Sequence, residues 1–374
     1  MVSTQPARYG IGGLAACLAS GRGSRIFLRR SNAAMLDFRA DPGACVSAGR
    51  TSKPIVPREK WRPLILMTKF SSAGLMVGVA IVWPLAASAI DFTPDTTRYL
   101  SDPSFLPLQG QLDSITTYSH ATRNLDWQPV RGIVNEHYSA DTNNYVQGIS
   151  YGITDRLSVS GSGSYSAETA HTTFPFFPAQ YTIVAKQFDN PAFALTYRAI
   201  QQTESSVSVD LQASFAPPIV ANAPGSGSVA MFVSRELRSL TIQGEIGGSY
   251  TGSYETGYTV SGLPTSITGQ AGYFLAARSQ LRLTPQWAIN GGVVYSKYLH
   301  DTVSSVAFGS YVDTPGSNVT PYFAVVYQIV PNKVDVSVEY DHDFIGDDNH
   351  RGSSNGNWIN QSRNLYAAHL RLLF

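Results

Sequence analysis

The chain has 374 residues, of which 43% are hydrophobic, 11% are aromatic and only 14% are charged. This apolar content excludes an intrinsically disordered protein, which buries too little apolar surface to become ordered. Two cysteines are too few for a disulfide framework, and a mean hydropathy of -0.07 argues against a protein with several membrane helices. The 32 glycines and 20 tyrosines favour an all-β fold instead.

The net charge of +1 combines two parts of opposite charge. Residues 1–66 hold 11 Lys or Arg against 3 acids, whereas residues 90–374 hold 15 bases against 23 acids. Both cysteines, Cys17 and Cys45, lie in the basic part. Binding of a nucleic acid needs a basic surface, and the main part of the chain is mildly acidic. The sequence therefore predicts no nucleic-acid partner, and no motif implies a cofactor or a metal centre.

Residues 67–89 contain the three parts of a secretory signal peptide. Lys69 supplies the positive start, residues 73–85 form an apolar stretch too short to span a bilayer, and Ala87-Ser88-Ala89 is a cleavage site of small residues. The mature chain would then begin near Ile90. A buried core helix is the alternative, but it explains neither the cleavage site nor the position of the charge. The segment therefore predicts export into or across the inner membrane.

The residues before this signal need an explanation of their own, because a signal peptide normally begins the chain. Residues 1–66 are rich in Arg and in turn-forming residues and show no amphipathic period. Either translation starts at Met67, or these residues form a real, disordered extension such as a targeting arm. After the signal peptide we expect a short periplasmic leader at residues 90–109 and a β domain at residues 110–374.

The dominant pattern after residue 109 has a period of two. Val334, Val336, Val338 and Tyr340 alternate with Asp335, Ser337, Glu339 and Asp341. Residues 156–167, 206–216 and 239–251 show the same alternation. A period of two over about ten residues gives a β-strand one apolar and one polar face.

The alternation predicts about twelve antiparallel strands. We place them at residues 110–122, 143–153, 156–167, 188–199, 206–216, 226–236, 239–251, 268–280, 286–298, 318–330, 333–345 and 361–374. Short connections then alternate with long ones, which would lie at residues 123–142, 168–187, 217–225, 252–267, 299–317 and 346–360. Tight turns at one end, long loops at the other and an even strand number are typical of a transmembrane β-barrel.

A secreted β-sandwich or propeller is the soluble alternative, because alternation alone does not say which face is buried. Strand length favours the membrane, since soluble strands average five or six residues and a tilted membrane strand needs about 9–11. Aromatic residues also lie near the ends of the apolar faces, where they suit the two girdles of a membrane barrel. They are Tyr197, Phe215, Tyr250, Trp287, Tyr295, Tyr340 and Phe374.

The end of the chain carries a family resemblance. Tyr366, Ala368, Leu370, Leu372 and Phe374 share one face of the last strand. This resembles the C-terminal strand of Gram-negative outer-membrane β-barrels, which ends in Phe and is read by the barrel-assembly machinery. The segment from Tyr151 to Val159 (YGITDRLSV) is similar to a hairpin that recurs in outer-membrane channels. The resemblance implies a bacterial outer-membrane location, contact with lipid and lipopolysaccharide, and no particular subfamily.

The polar faces should line the lumen if the apolar faces meet lipid. The candidate pore-lining residues are Arg198, Asp210, Glu245, Arg278, Arg282, Asp335, Glu339, Asp341, Asp343, Arg363, His369 and Arg371. Charged rings select ions by sign, so these residues and the resemblance together predict a porin-like channel for passive diffusion of small solutes or ions, with a weak cation preference. Equally, the opposite charges could pair and simply fill the lumen.

An enzyme of lipase, deacylase or protease type and a structural or adhesin-like barrel are the competing functions. Catalysis is not expected, because Asp341 and His342 are adjacent and must point to opposite faces of a strand. Two further segments are assigned to outer loops. We expect residues 341–350 to form a solvated acidic loop, in which a weak Ca²⁺ site or cation-bridged lipopolysaccharide is conceivable, and Phe174 to Pro178 to form a hydrophobic cap or a constriction.

Overall fold

The structure is a computed structural model, and it describes most of the chain after the signal region. The described residues are 99–129, 132–220, 223–256, 265–305, 309–352 and 355–374. The expected extension at residues 1–66, the signal peptide at residues 67–89 and the start of the leader lie outside them. No helix among the described residues is both long and apolar enough to cross a membrane.

Twelve antiparallel strands form one closed sheet. The first strand, Leu112–Gln128, pairs on one side with the second strand and on the other with the last strand, Gly356–Leu373. His120 lies opposite Asn143 on the second strand and opposite Tyr366 on the last. Because the two end strands pair with each other, the sheet has no free edge. The predicted barrel of about twelve strands is therefore confirmed.

Six barrel strands are continuous and six are interrupted once. The continuous strands are the first, Leu112–Gln128, the second, Glu136–Thr154, the third, Leu157–Phe174, the fifth, Ser208–Ala216, the sixth, Ser226–Glu236, and the twelfth, Gly356–Leu373. The interrupted strands are the fourth, Phe177–Phe188 with Ala192–Ile200, the seventh, Leu240–Thr251 with Tyr254–Thr256, the eighth, Thr265–Ile267 with Gln270–Arg282, the ninth, Trp287–Tyr298 with Asp301–Ser305, the tenth, Gly309–Thr314 with Ser317–Val330, and the eleventh, Val334–Ile345 with Asp348–Gly352.

Most of the expected long loops are strand extensions. The first hairpin leaves the sheet only between Gln128 and Glu136, where we expected a loop at residues 123–142. Residues 341–345 and 348–350 are also strand, so the expected acidic loop is wrong. Above the apolar belt the outer face no longer meets lipid, so the sequence loses its period of two while the backbone pairing continues.

The aromatic segment near Phe174 is a hairpin tip and not a long loop. The third strand ends at Phe174 and the fourth begins at Phe177. Phe174 is buried, whereas Phe176 is 64% exposed. Of the described aromatic side chains in the expected hydrophobic cap, Phe174 is therefore buried and Phe176 is exposed.

The apolar faces of the strands point outward. Val338 is 66% exposed, although a soluble sandwich would bury it. Aromatic pairs bound this apolar belt, with Trp287 and Tyr327 4.7 Å apart at the end of the short turns and Tyr340 and Tyr366 5.1 Å apart at the end of the long hairpins. Amphipathic rings at both edges of an apolar belt are the signature of a barrel in a lipid bilayer.

Candidate functional site: the barrel lumen

The chain segment before the first strand crosses the periplasmic mouth of the barrel. The Tyr99 hydroxyl donates to the carbonyl of Thr284, in the turn between the eighth and ninth strands, at 2.7 Å. The N–H of Gln109 donates to Asp155, in the turn between the second and third strands, at 3.1 Å. Since the strands follow one another around the barrel, these two turns lie on opposite sides. Residues 99–107, which we call the mouth segment, therefore bridge the opening.

The mouth segment is fixed by side chains from several inner walls. Asp335 accepts a hydrogen bond from the N–H of Ser101 at 3.1 Å, and Thr241 donates to Asp102 at 2.6 Å. Gln243 donates to the carbonyl of Pro103 at 2.7 Å. The backbone of such an irregular segment needs partners when it is buried, and inward polar side chains supply them.

Two inward arginines hold the mouth segment and a carboxylate at once. Arg198 forms a two-pronged pair with Asp210, at 2.8 and 2.9 Å, and donates to the carbonyl of Ser104 at 2.7 Å. Arg371 pairs in the same way with Asp113 and also donates to the carbonyl of Leu100. The planar guanidinium has five donors, so it can bind a carboxylate and still reach a backbone oxygen.

Apolar packing completes the mouth. Tyr99 and Leu100 are each 1% exposed, and Tyr99 packs in a buried cluster with Ala288 and Val326. The guanidinium of Arg371 lies 4.9 Å from the ring centre of Phe105. The described part of the expected leader thus lies within the barrel mouth, where sequence reasoning foresaw only a short leader ahead of the barrel.

Paired charges line the middle of the lumen. Arg278 donates to Glu245 through two nitrogens at 3.1 Å and lies 5.6 Å from the ring centre of Tyr322. Arg363 pairs with Asp343 at 2.6 Å. The charged ends of Arg278 and Arg363 keep partial exposure, with side chains 19% and 25% exposed. The charged groups at this level are therefore not fully enclosed by protein.

The structure places all twelve candidate residues on the inner face. It also shows two ion-pair partners that the sequence does not reveal. Asp113 pairs with Arg371, and Glu236 accepts a hydrogen bond from Arg282 at 2.7 Å. Asp113 lies in the inward phase of the first strand, but that strand is too weakly patterned to reveal it. The pairing expected between the last two strands occurs at Asp343 and Arg363.

Inward carboxylates outnumber inward arginines. The inward arginines of the strands are Arg123, Arg198, Arg278, Arg282, Arg363 and Arg371. The inward carboxylates are Asp113, Glu136, Glu168, Asp210, Glu236, Glu245, Asp301, Asp313, Asp335, Glu339, Asp341, Asp343 and Asp348. Glu339 and Asp341 lie on the same wall, and the nearest base to Glu339 is His369, at 3.9 Å. The wall of the eleventh strand is therefore acidic.

The adjoining wall, formed by the eighth to tenth strands, combines glycines with flat aromatic rings. Tyr322 lies directly across from Gly292 on the neighbouring strand, and Tyr298 lies in the same way across from Gly272. A Cβ at Gly292 would lie 2.6 Å from the ring of Tyr322, and one at Gly272 would lie 2.8 Å from the ring of Tyr298. Each ring therefore lies against the wall because its neighbour has no side chain, which keeps the lumen wider at these levels.

The extracellular end of the lumen holds a buried aromatic cluster. Trp127 packs against Trp358 and His350, with ring centres 5.1 and 4.9 Å apart, and His350 stacks on Tyr311. Glu136, directly across from Trp127, is only 2% exposed. Burial raises the pKa of the Glu136 carboxyl to about 7. This end of the barrel lies beyond the aromatic girdle and combines packed rings with a carboxyl that titrates near neutral pH.

Histidine and aspartate side chains meet at the extracellular end in two places, where His350 lies 3.2 Å from Asp313 and His137 lies 2.6 Å from Asp126. The adjacent pair Asp341 and His342 makes no such contact. Asp341 points inward, whereas His342 points outward and contacts Asn364 at 2.8 Å. Within the lumen, His369 contacts the Thr117 hydroxyl at 2.9 Å, but its second nitrogen lies 3.9 Å from Glu339, which is beyond hydrogen-bond reach. Among the described residues, no group of His, Cys, Asp or Glu is arranged to hold a metal ion.

A closed barrel with an outward apolar belt between aromatic girdles and an ionic interior is a transmembrane β-barrel of the bacterial outer membrane. This confirms the resemblance at the level of fold. No family model matches the chain, and no curated protein matches it. The chain is similar in structure to an outer membrane channel from Pseudomonas putida F1, with 10% identity over 76% of this chain and 100% of that one and a TM-score of 0.49.

Two other similar structures have different functions. The transport unit of the autotransporter AIDA-I from Escherichia coli has 8% identity over 79% of this chain and 97% of that one, with a TM-score of 0.48. The outer membrane protease OmpT from Escherichia coli has 10% identity over 77% of this chain and 100% of that one, with a TM-score of 0.30. The likeness concerns the barrel architecture and selects no function.

Proposed function

We propose that the protein is an outer-membrane channel through which small solutes diffuse passively, with a preference for cations. The excess of inward carboxylates supports this proposal most directly. Ionised groups that face an empty apolar space would be very unfavourable, so the partly exposed charges of the middle lumen imply a hydrated interior. A hydrated passage with acidic walls attracts cations and repels anions. No catalytic step is part of the proposal.

The mouth segment narrows the periplasmic end of this passage. A passage of this kind should show a small conductance, because solutes must pass beside residues 99–107 or wait until the segment moves. The acidic wall at Glu339 and Asp341 lies above this level, so it should determine the sign of the preferred ion and not the size limit.

The test is a planar-bilayer recording of the refolded protein under a salt gradient. The reversal potential of the wild-type protein should indicate cation preference. The pair Glu339→Gln and Asp341→Asn should shift it toward the non-selective value, because two inward carboxyl groups are lost. The matched control is Asp126→Asn with Asp141→Asn, which removes the same formal charge from the outer surface of the barrel and should leave the reversal potential unchanged.

The recordings also separate this proposal from its alternatives. A folded barrel without any discrete conductance would contradict the channel and favour a structural or adhesin-like role. A conductance whose reversal potential ignores the inward pair would keep the channel but remove these two acids from its selectivity.

We also propose that the barrel-assembly machinery reads the last strand. Phe374 is 70% exposed at the membrane edge of the outward face, in line with Leu370 and Tyr366. Phe374→Ser should lower the amount of folded barrel in the outer membrane of cells without preventing refolding in detergent. Equal loss in both settings would indicate a purely structural role for this residue.

A further inference from the structure

A repeated arrangement of four side chains lies on the outer surface of the barrel. In its first copy, Tyr118 and His120 of the first strand lie across from Tyr145 and Asn143 of the second. The Tyr118 hydroxyl donates to the Asn143 side-chain oxygen at 2.8 Å, and Nδ1 of His120 lies 3.1 Å from the same oxygen. The two tyrosine rings are tilted against each other with centres 4.9 Å apart.

The second copy joins the eleventh and twelfth strands. Tyr340 donates to the side-chain oxygen of Asn364 at 2.9 Å, and Nδ1 of His342 lies 2.8 Å from that oxygen. The rings of Tyr340 and Tyr366 are tilted with centres 5.1 Å apart. The exposure of the tyrosines repeats as well, at 41% and 54% in the first copy and 40% and 53% in the second.

The two copies form one continuous patch, since His120 lies directly across from Tyr366 where the first strand pairs with the last. The tyrosine pairs belong to the aromatic girdle at the extracellular edge of the apolar belt. The side chains of His and Asn lie just beyond the rings along their strands, which is the level of lipid headgroups. We name this set of eight side chains the girdle patch.

The hydrogen bonds within each copy determine what the patch offers to a ligand. The Asn oxygen already accepts from the Tyr hydroxyl, so it can also contact the neutral His only if Nδ1 carries the proton, which leaves Nε2 as an acceptor. The Nδ2 donors of Asn143 and Asn364 form no hydrogen bond within the described chain. Each copy therefore presents donors and an acceptor side by side, above aromatic rings.

We propose that the girdle patch binds the sugar headgroup of a glycolipid in the outer leaflet. A sugar hydroxyl is both a donor and an acceptor, so it can give its proton to the His Nε2 and accept from the Asn amide. A bare phosphate fits less well, because it needs donors only and because Asp141 lies on the same outer face, across from Thr122. This proposal goes beyond the proposed channel and does not depend on it.

The experiment uses the full barrel refolded in detergent and purified lipid A as the probe. The diglucosamine headgroup of lipid A also carries phosphates, so phosphatidylglycerol, which has a phosphate but no sugar ring, is the control lipid. Native mass spectrometry would measure the dissociation constant for lipid A and for phosphatidylglycerol. Asn143→Leu with Asn364→Leu should weaken lipid A binding about tenfold or more, since at least two hydrogen bonds of the headgroup are lost, and should leave phosphatidylglycerol binding unchanged.

Two further double variants complete the test. Tyr273→Phe with Tyr295→Phe is the control, because it removes two girdle hydroxyls on the eighth and ninth strands, outside the girdle patch, and should leave lipid A binding unchanged.

Tyr118→Phe with Tyr340→Phe tests the girdle patch independently if the Asn pair fails to fold. It keeps the aromatic rings, removes the hydrogen bonds that orient both Asn amides, and should weaken lipid A binding less than the Asn pair does. Equal binding to the wild type and to this pair would overturn the proposal, as would a parallel loss of phosphatidylglycerol.

Discussion

Asp335 and Ser101 are 234 residues apart in the chain and are joined by a hydrogen bond of 3.1 Å between the carboxylate and the backbone N–H. The Ser101 hydroxyl lies 3.5 Å from the same carboxylate oxygen. Asp335 is 2% exposed, so its inward charge is used to fix the mouth segment and is not free to meet a solute. The inward charges at the mouth thus differ in role from those of the middle lumen, because they bind the mouth segment.

Loosening the mouth segment should raise the conductance. The pair Arg198→Leu and Asp210→Leu removes the bond from Arg198 to the carbonyl of Ser104 without leaving a buried charge unpaired. A hydrogen bond to a charged group contributes about 1.5–3 kcal/mol, so the segment should leave its position about tenfold more often or more. Single-channel recordings should show larger or longer openings.

The control for this prediction is Arg282→Leu with Glu236→Leu. This pair has the same chemistry at the same end of the barrel, but its arginine donates to the carbonyl of Leu237 in a periplasmic turn. Openings that increase equally in both variants would show that lost charge, and not the released segment, changes the conductance.

The extracellular hairpin around Glu136 should weaken as the pH rises from about 4.5 to 7. Burial raises the pKa of Glu136 from 4.5 to about 7, so in this range the folded hairpin retains a proton that the opened hairpin releases. Opening is therefore favoured by rising pH, by up to about 3 kcal/mol above pH 7. Hydrogen exchange of residues 125–138 should be slow at pH 4.5 and faster at pH 7.5, after correction for the intrinsic rate.

Glu136→Gln should abolish this pH dependence, because the amide remains neutral throughout. The exchange of its hairpin at pH 7.5 should be as slow as that of the wild type at pH 4.5. A corrected exchange rate that still changes with pH in this variant would assign the effect to a group other than Glu136.

Gly292→Ala should narrow the middle lumen. The added Cβ would overlap the carbonyl oxygen of Ala277 and lie 2.6 Å from the ring of Tyr322, so the ring must turn away from the wall. Overpacking of this kind costs about 1–3 kcal/mol, and the displaced ring should lower the conductance. Gly163→Ala is the control, because a Cβ there faces outward and meets nothing within 4 Å. An unchanged conductance in Gly292→Ala would place Tyr322 away from the solute path.

The sequence predicts the barrel strands within the apolar belt, because one face of each strand meets lipid there. Val336 and Val338 alternate with Asp335 and Glu339 because the belt imposes opposite environments on the two faces. The same alternation predicted which residues point inward, but it did not predict their hydrogen-bond partners. The period of two tells on which face of a strand a residue lies, whereas the bond from Asp335 to Ser101 forms only when the sheet closes.

The sequence does not predict the features that lie outside the apolar belt, because the two faces of the chain do not alternate between apolar and polar residues there. The mouth segment contains Pro103 and Pro107 and has no period, so it was assigned to a leader ahead of the barrel. The outer strand extensions, such as Asp348–Gly352, carry polar residues in both phases of the strand, so the sequence predicts loops there. The girdle patch was missed because its four-residue pattern becomes visible only when the strand registers are known.

The position of the mouth segment also constrains the order of assembly. Its bonds reach side chains on the fourth, seventh, eighth, ninth, eleventh and twelfth strands, so it is enclosed on nearly every side. A chain cannot easily be threaded into such a ring once the seam between the first and last strands is sealed. The earliest-synthesised part of the domain must therefore be in place before the final strand docks, and the seam closes around it.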